Sequence, residues 1–222
     1  MKKQFLLIIA LFAAITFNFG QVKEGHFTYT IEMSSDNPDM QMAIGMMQGS
    51  TMDLYMMPEK SRVEVKMGAI MTMTTIVDSK QEKMLLLMGG MMGNNAIPST
   101  FDDLKANDSL KSDIKVELVN ETKKVAGYDC KKALVSDEEG NSSVFWYTEE
   151  IQVEKEGHMY LNKEVPGFPM EYDINQNGMI MKMTVTKVET KLDKTAKKTL
   201  FSLDIPEGYK EMTMEEMQTM GM

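Results

Sequence analysis

The sequence has one cysteine, Cys130, among its 222 residues. A single thiol has no partner within the chain, so no internal disulfide bond forms and stability has to come from burial of apolar surface. A lone buried thiol is more often an inert core residue than a nucleophile. We therefore interpret Cys130 as a core residue.

Histidine and the motifs of common enzymes are also scarce. The two histidines, His26 and His158, are far apart, and no Gly-x-Ser-x-Gly elbow or His-Glu-x-x-His zinc helix occurs. The glycine-rich residues 89–93 lack the Lys-Ser/Thr of a phosphate loop. Adjacent carboxylates such as Glu149 and Glu150 would point to opposite sides of a strand, so they do not form a catalytic pair. The sequence predicts neither an enzyme nor a cofactor.

Basic residues are fewer than acidic ones. The chain has 24 Lys and Arg against 33 Asp and Glu, a net charge of −9. An acidic surface repels nucleic acids and anionic membranes, because affinity for phosphate comes largely from Lys and Arg. We expect no nucleic-acid partner.

One long uncharged apolar run is present, at residues 5–17, directly after Lys2 and Lys3. Its 13 residues are fewer than the roughly 20 that a membrane-spanning helix needs. Basic residues, an apolar core and a polar exit are typical of a cleaved signal peptide, which we assign to residues 1–20. The prediction is a periplasmic or secreted protein without a permanent membrane anchor, with residues 21–222 forming a single domain.

Alternation of apolar and polar residues dominates the rest of the chain and indicates half-buried strands. The longest alternation covers residues 178–190, where Met179, Met181 and Met183 share one face. Further strands are predicted at residues 26–31, 51–57, 62–67, 70–77, 83–88, 114–119, 128–135, 143–148 and 168–174, with a last short one at 199–203. Short helices are predicted at residues 39–48, 99–106 and 213–219, and a polar loop at 191–198. Short connections favour antiparallel neighbours in one curved sheet.

Methionine is unusually abundant, with 26 residues, none of them between Met92 and Met159. Residues two apart in a strand point to the same face, so Met71 lies beside Met73. The same rule groups Met179 with Met181 and Met183. Two further methionine-rich pieces, residues 84–92, which contain Met84 and Met88, and residues 40–47, are available to cover such a face.

Three interpretations of the methionines remain open. Methionine fills ordinary cores well because it is unbranched and adaptable. Methionine-rich surfaces also repack around varied apolar ligands, which favours a hydrophobic binding face built from Met71, Met73, Met84, Met88, Met179, Met181 and Met183. Thioethers also select Cu(I), and the alternative is a copper site at Met179, Met181 and Met183.

Four blocks of sequence resemble a family of exported bacterial proteins known as a domain of unknown function. They are Lys-Lys-Val-Ala-Gly-Tyr-Asp-Cys-Lys-Lys-Ala-Leu-Val at residues 123–135, Trp-Tyr-Thr at 146–148, Gly-Phe-Pro-Met-Glu-Tyr at 167–172, and residues 201–209 with Ile-Pro-Glu-Gly-Tyr. That family is similar to the periplasmic lipoprotein carriers of the Lol type and their lipid-binding relatives. The resemblance implies an open half-barrel with helices over its concave face and a hydrophobic cavity. The carriers' buried arginine is not carried over to Arg62, for which we expect an exposed salt bridge.

Together these observations predict a mainly β fold, a curved antiparallel half-open β-barrel with a few short helices on the concave side. The predicted function is binding or carriage of a lipid, lipoprotein or other apolar ligand on a methionine-lined concave face, with an envelope protein as a further partner. The alternatives are Cu(I) buffering and a structural or interaction module without a ligand.

Overall fold

The protein folds around one large β-sheet. The structure is a computed structural model that describes residues 22–91, 93–105, 114–137, 142–152, 164–176 and 178–219. Twelve strands occur in these ranges: β1 Gly25–Ser35, β2 Thr51–Met57, β3 Lys60–Met67, β4 Met71–Asp78, β5 Lys83–Gly90, β6 Asn95–Thr100, β7 Ile114–Val125, β8 Tyr128–Asp137, β9 Ser142–Thr148, β10 Phe168–Gln176, β11 Met179–Glu189 and β12 Lys210–Glu211.

The sheet is open, with the order β12-β6-β5-β4-β3-β2-β1-β11-β10-β9-β8-β7. Neighbours pair antiparallel, except β12 with β6, which pair in parallel over two residues. The strands β12 and β7 are the two edges, so the curved sheet does not close into a barrel. This confirms the predicted half-open, mainly β fold.

Four short helices accompany the sheet: α1 Gln41–Met46 after a 3-10 turn at Pro38–Met40, α2 Phe101–Lys105, α3 Lys194–Thr199 and α4 Met214–Thr219. A capping box starts α4, the helix predicted at residues 213–219. The Thr213 backbone N–H donates to Glu216 Oε2 at 2.8 Å, and the Glu216 N–H donates to Thr213 Oγ1 at 3.1 Å. None of the helices in the described residues is long and apolar enough to cross a membrane.

Two predictions for the C-terminal part are wrong. The polar loop at 191–198 contains α3, and the strand predicted at 199–203 is absent because α3 extends to Thr199. Asp193 is the reason: its side chain accepts hydrogen bonds from the backbone N–H groups of Thr195 and Ala196, at 2.7 and 2.8 Å. This is the N-cap geometry that starts a helix.

The sheet curves strongly enough to bring distant strands together. The Tyr172 hydroxyl on β10 lies 4.0 Å from Met52 Sδ on β2. In a flat sheet these strands, three spacings apart, would be separated by about 14 Å. The contact identifies the face that carries Tyr172 and Met52 as the concave one, which we call the inner face.

The main core lies on the inner face of β1, β2, β10 and β11. Phe27 and Tyr29 are 0% and 1% exposed. The Phe27 and Phe168 rings are 4.2 Å apart, and the Tyr29 hydroxyl donates to the Pro169 carbonyl oxygen at 2.9 Å. Aromatic burial of this kind contributes a large share of core stability.

A second core lies on the opposite, outer face of β4 to β6. There Leu203, Ile205 and Tyr209 pack against a cluster that includes Ile76 and Leu85. Leu200, which ends α3, accepts a hydrogen bond from Arg62 Nη1 at 3.0 Å. The chain around α3 therefore covers the outer face, which differs from the expectation of helices on the concave side.

Candidate functional site

The methionines predicted to form the binding face all point to the inner face. Directly opposed residues in antiparallel strands share a face. Across β3, β4 and β5, Val65 opposes Met73, and Met73 opposes Met88. Val77 on β4 likewise opposes Met84 on β5. On the other side of β1, Ile31 opposes Met183, and Met33 opposes Met181. One continuous surface thus carries the following residues: Met71, Met73, Met84, Met88, Met179, Met181 and Met183.

These methionines have different surroundings. Met183 is 8% exposed and belongs to the main core, where it opposes Tyr172. Burial raises the pKa of Tyr172 to about 12. Met84 is 9% exposed, whereas Met179 and Met181 are half-buried. The side chain of Met183 fills the core in this structure.

An incompletely covered apolar surface occupies the inner face of β3, β4 and β5. The residues form a grid by register, in which Val63, Thr75 and Leu86 make one row, Val65, Met73 and Met88 the next, and Met67 and Met71 lie beside Gly90. Except for the exposed Gly90, each is half-buried. We call these side chains the open patch: Val63, Val65, Met67, Met71, Met73, Thr75, Leu86 and Met88. The neighbouring strand β2 differs, since Met52, Leu54 and Met56 are 9%, 2% and 2% exposed.

A small cavity adjoins the open patch at the end of the sheet. Its volume is about 150 Å³, and we call it the rim cavity. It is lined by Met47, Met67, Ile70, Met71, Met88, Gly89, Met91, Gly93 and Asn95. The lining therefore combines the end of α1, the β3–β4 turn and the β5–β6 turn.

Close backbone contacts hold the elements of the rim cavity together. Gly68 has φ +52°, and a Cβ there would lie 2.3 Å from the Met46 carbonyl oxygen. The Gly68 N–H donates to Ser50 Oγ at 3.1 Å, and Ser50 Oγ donates to the Met47 carbonyl oxygen at 2.5 Å. The Met91 N–H donates to the Ile70 carbonyl oxygen at 3.3 Å, which joins the two turns. Only glycine at residue 68 allows α1 to approach this closely.

Exposed methionines occur in and near the lining of the cavity. Met91, which lines it, is 79% exposed, and on α1, directly before the lining residue Met47, Met42 and Met46 are 80% and 54% exposed. Large apolar side chains that are exposed to water near an apolar cavity are typical of a binding site. The residues predicted for the binding face do not include Met47, Met67 or Met91, because the turns that bring Met47 and Met91 beside Met67 follow no strand periodicity.

His26 is held by two carboxylates on the outer face. Its Nε2 lies 2.7 Å from Asp53 Oδ1, and its Nδ1 lies 2.9 Å from Glu189 Oε2. Thr28 Oγ1 donates to Asp53 at 2.9 Å, and the His26 ring stacks on Tyr55 at 4.2 Å. Through these contacts the cluster joins β1 to β2 and β11.

The remaining candidate residues are structural. Arg62 pairs with Glu64 at 2.5 Å and is only 18% exposed, so its salt bridge is less exposed than expected. Trp146 packs against the main core, with Lys123 Nζ 4.3 Å from its ring centre. Cys130 is 0% exposed, and burial raises the pKa of its thiol to about 11. Within the described ranges, no group of three or more His, Cys, Asp or Glu residues is placed to hold a metal ion.

An open, strongly curved antiparallel sheet with an apolar inner face defines a half-barrel protein. Within that class the chain belongs to the family described as N-glycanase peptide, N-terminal domain, which matches residues 60–207. The match runs from the start of β3 to the segment that follows α3, so it includes the open patch. No curated protein matches the chain.

Solved structures with similar folds include three that share little sequence with this chain. PNGF-II has 16% identity and a TM-score of 0.49, with 89% of this chain and 32% of that chain covered. MucB has 13% identity and a TM-score of 0.42, with coverage of 84% and 58%. The Mycobacterium tuberculosis lipoprotein LppX has 7% identity and a TM-score of 0.39, with coverage of 76% and 88%. The chain spans about a third of the length of PNGF-II.

Proposed function

We propose that the protein binds an apolar ligand, such as a lipid acyl chain, on the open patch of its inner face. The observation that supports the proposal is the change in burial along one apolar face. Met52 and Met56 on β2 are covered by the protein's own core, whereas Met71, Met73 and Met88 are not. Half-buried aliphatic side chains in a concave sheet gain free energy when a ligand completes their burial.

The size of the open patch suits weak to moderate affinity. Completing the burial of its eight side chains, at about 1 kcal/mol each, amounts to roughly 8 kcal/mol. Loss of translational and rotational freedom on association offsets part of this gain. The proposal thus predicts dissociation constants in the micromolar range or weaker for a simple acyl probe. Flexible methionines allow the same surface to accept ligands of different shapes.

The proposal places this ligand exchange outside the cytoplasm, because residues 1–20, which lie outside the described residues, have the pattern of a signal peptide. The domain predicted for residues 21–222 then works as a carrier or sensor for an apolar molecule in the envelope. No catalytic step is proposed.

The first test compares two aspartate variants at adjacent residues of β4. Met73 lies on the open patch, while Thr72 is exposed on the outer face opposite Lys66. We expect Met73→Asp to lower the affinity for a fluorescent acyl probe by at least about tenfold, because a charge in the patch would have to be desolvated. Thr72→Asp should bind like the unaltered protein. Equal binding by both variants, with circular dichroism confirming that both are folded, would contradict the proposal.

A second candidate function is an interaction module that binds a protein rather than a small ligand. It is favoured by the family match, which is to a domain named as the N-terminal part of an N-glycanase peptide. In this case the open patch would be covered by an exported protein partner. Cross-linking in the native envelope distinguishes the two, since a carrier yields lipid adducts and a module yields a defined protein adduct.

A further inference from the structure

We infer that the rim cavity is a Cu(I) site whose ligands are the thioether sulfurs of the methionines that line it. Five of the nine lining residues are methionines, namely Met47, Met67, Met71, Met88 and Met91. Met67, Met71 and Met88 lie on β3, β4 and β5, while Met47 follows α1 and Met91 follows β5. Three of the five, Met47, Met67 and Met91, are not among the residues predicted for the copper alternative or the binding face. The inference concerns a different ligand from the apolar one, at a site that shares Met67, Met71 and Met88 with the open patch.

The chemistry of the lining selects a soft cation. Apart from methionine, the lining side chains are Ile70 and Asn95, and the cavity residues include no carboxylate, imidazole or thiol. Calcium and magnesium prefer oxygen ligands, and zinc prefers thiolate, imidazole or carboxylate. Thioether groups are the ligands that select Cu(I) among biological metal ions.

The size and position of the cavity also fit a single ion. At about 150 Å³ the cavity is smaller than the roughly 300–1,000 Å³ of pockets for drug-sized ligands. Met91 is 79% exposed at the mouth, so one ligand is able to meet an incoming ion before the others close around it. Unbranched methionine side chains reach across such a space without backbone movement. The net charge of −9 attracts cations to the protein.

Two residues that commonly bind copper are not available to compete. Cys130 is fully buried with a raised thiol pKa, and both ring nitrogens of His26 contact carboxylates. Met183, part of the copper alternative predicted from sequence, is 8% exposed within the main core. Of the methionine groups that the structure describes, the group lining the rim cavity is therefore the favoured Cu(I) site.

The test is an anaerobic titration of the purified protein with Cu(I) alone against a chromogenic Cu(I) chelator. We expect one equivalent of Cu(I) to bind with a dissociation constant of about 1 μM or tighter. X-ray absorption of the complex should show sulfur neighbours only. No binding in this range, or a nitrogen-dominated spectrum, would overturn the inference.

Leucine substitutions separate the metal from the apolar ligand, because leucine keeps the volume of methionine and removes the sulfur. Met47→Leu with Met91→Leu, both in the lining but outside the open patch, should weaken Cu(I) binding by at least about tenfold while the acyl probe still binds. Met181→Leu with Met183→Leu is the matched control and should bind Cu(I) normally. Should the rim double variant fail to fold, Met91→Leu alone, at an exposed lining residue, replaces it. Unchanged Cu(I) affinity in the rim variant, or an equal loss in the control, would overturn the assignment.

Discussion

Asp78 is the buried carboxylate whose ionisation is most closely tied to folding. Its side chain is 2% exposed, and it accepts hydrogen bonds from Lys60 Nζ at 2.8 Å and from the Gln81 backbone and side chain at 3.0 and 2.7 Å. Burial alone would raise the pKa of Asp78, but these bonds outweigh it and lower the pKa below 3.8. The folded state therefore favours the ionised form.

Replacing Asp78 with Asn should lower the free energy of unfolding near neutral pH by about 1–3 kcal/mol, since Asn cannot reproduce the charged hydrogen bonds. Because the pKa of Asp78 is lower in the folded than in the unfolded state, its ionised form stabilises the fold at any pH above the unfolded pKa. This stabilisation is lost as the pH falls through the folded pKa. The difference between the unaltered protein and Asp78→Asn should therefore shrink below about pH 4. Urea unfolding at pH 7, 5 and 3 measures it, and a constant difference would exclude this role for Asp78.

Cys130 gives a reactivity prediction at the same scale. Because burial raises its thiol pKa to about 11, the thiol is protonated at pH 8 and shielded from reagents. A disulfide reagent such as DTNB should modify the folded protein slowly and the urea-unfolded protein rapidly, with one equivalent in the latter. Rapid labelling of the folded protein would show that Cys130 is accessible, in conflict with its position in the main core.

At the residue scale, the sequence was informative about faces but not about exposure. Alternation placed Met71 with Met73, and Met179 with Met181 and Met183, on shared faces, and register joins them on one inner face. It did not distinguish Met183, which Tyr172 and Ile31 cover, from Met73 on the open patch. Burial depends on which distant strands curve over a residue, and periodicity carries no such information.

At the scale of elements, strands were predictable because each follows a period of two between turn residues. The strand β6 was missed, since Pro98 lies within it and proline disfavours a central strand. The strand β12 pairs with Asn95 and Ala96 of β6 but does not reach Pro98. Pro98 therefore lies where β6 has no β12 partner on that edge. The helix α3 was missed because its start depends on the Asp193 cap rather than on an apolar face.

The contact between α1 and the β3–β4 turn gives an element-scale prediction. Gly68 and Gly49 both have positive φ, +52° and +76°, but a Cβ clashes with Met46 only at Gly68, and nothing lies within 4 Å at Gly49. Alanine at Gly49 should therefore cost only the backbone strain of about 1–2 kcal/mol. Alanine at Gly68 should cost more, because α1 has to move away from the turn.

Urea unfolding of both variants measures this difference, and hydrogen exchange locates it. Gly68→Ala should speed exchange in α1 and around the rim cavity, whereas Gly49→Ala should leave the cavity residues unchanged. Equal destabilisation by the two substitutions would mean that the approach of Met46 to Gly68 contributes little to the fold.

At the scale of the whole molecule, the order of strands explains why the sheet has two kinds of inner surface. The strand β1 lies in the middle, beside β11, so the N-terminal and C-terminal strands meet there and build the main core. The strands β3 to β5 lie farther from β1, and their inner face is half-covered. The outer face of this part of the sheet is covered by the segment containing Leu203 and Ile205. This asymmetry was not predictable from the sequence, because it depends on a long-range pairing between β1 and β11.

Photo-cross-linking tests the central claim most directly. A fatty acid with a diazirine in its acyl chain is added to the purified protein, irradiated and located by peptide mass spectrometry. Adducts are predicted on β3, β4 and β5, foremost on Met73 and Met88, and excess unlabelled fatty acid should remove them. Adducts confined to β7, β8 and β9, or labelling that unlabelled fatty acid does not reduce, would contradict an apolar binding site on the open patch.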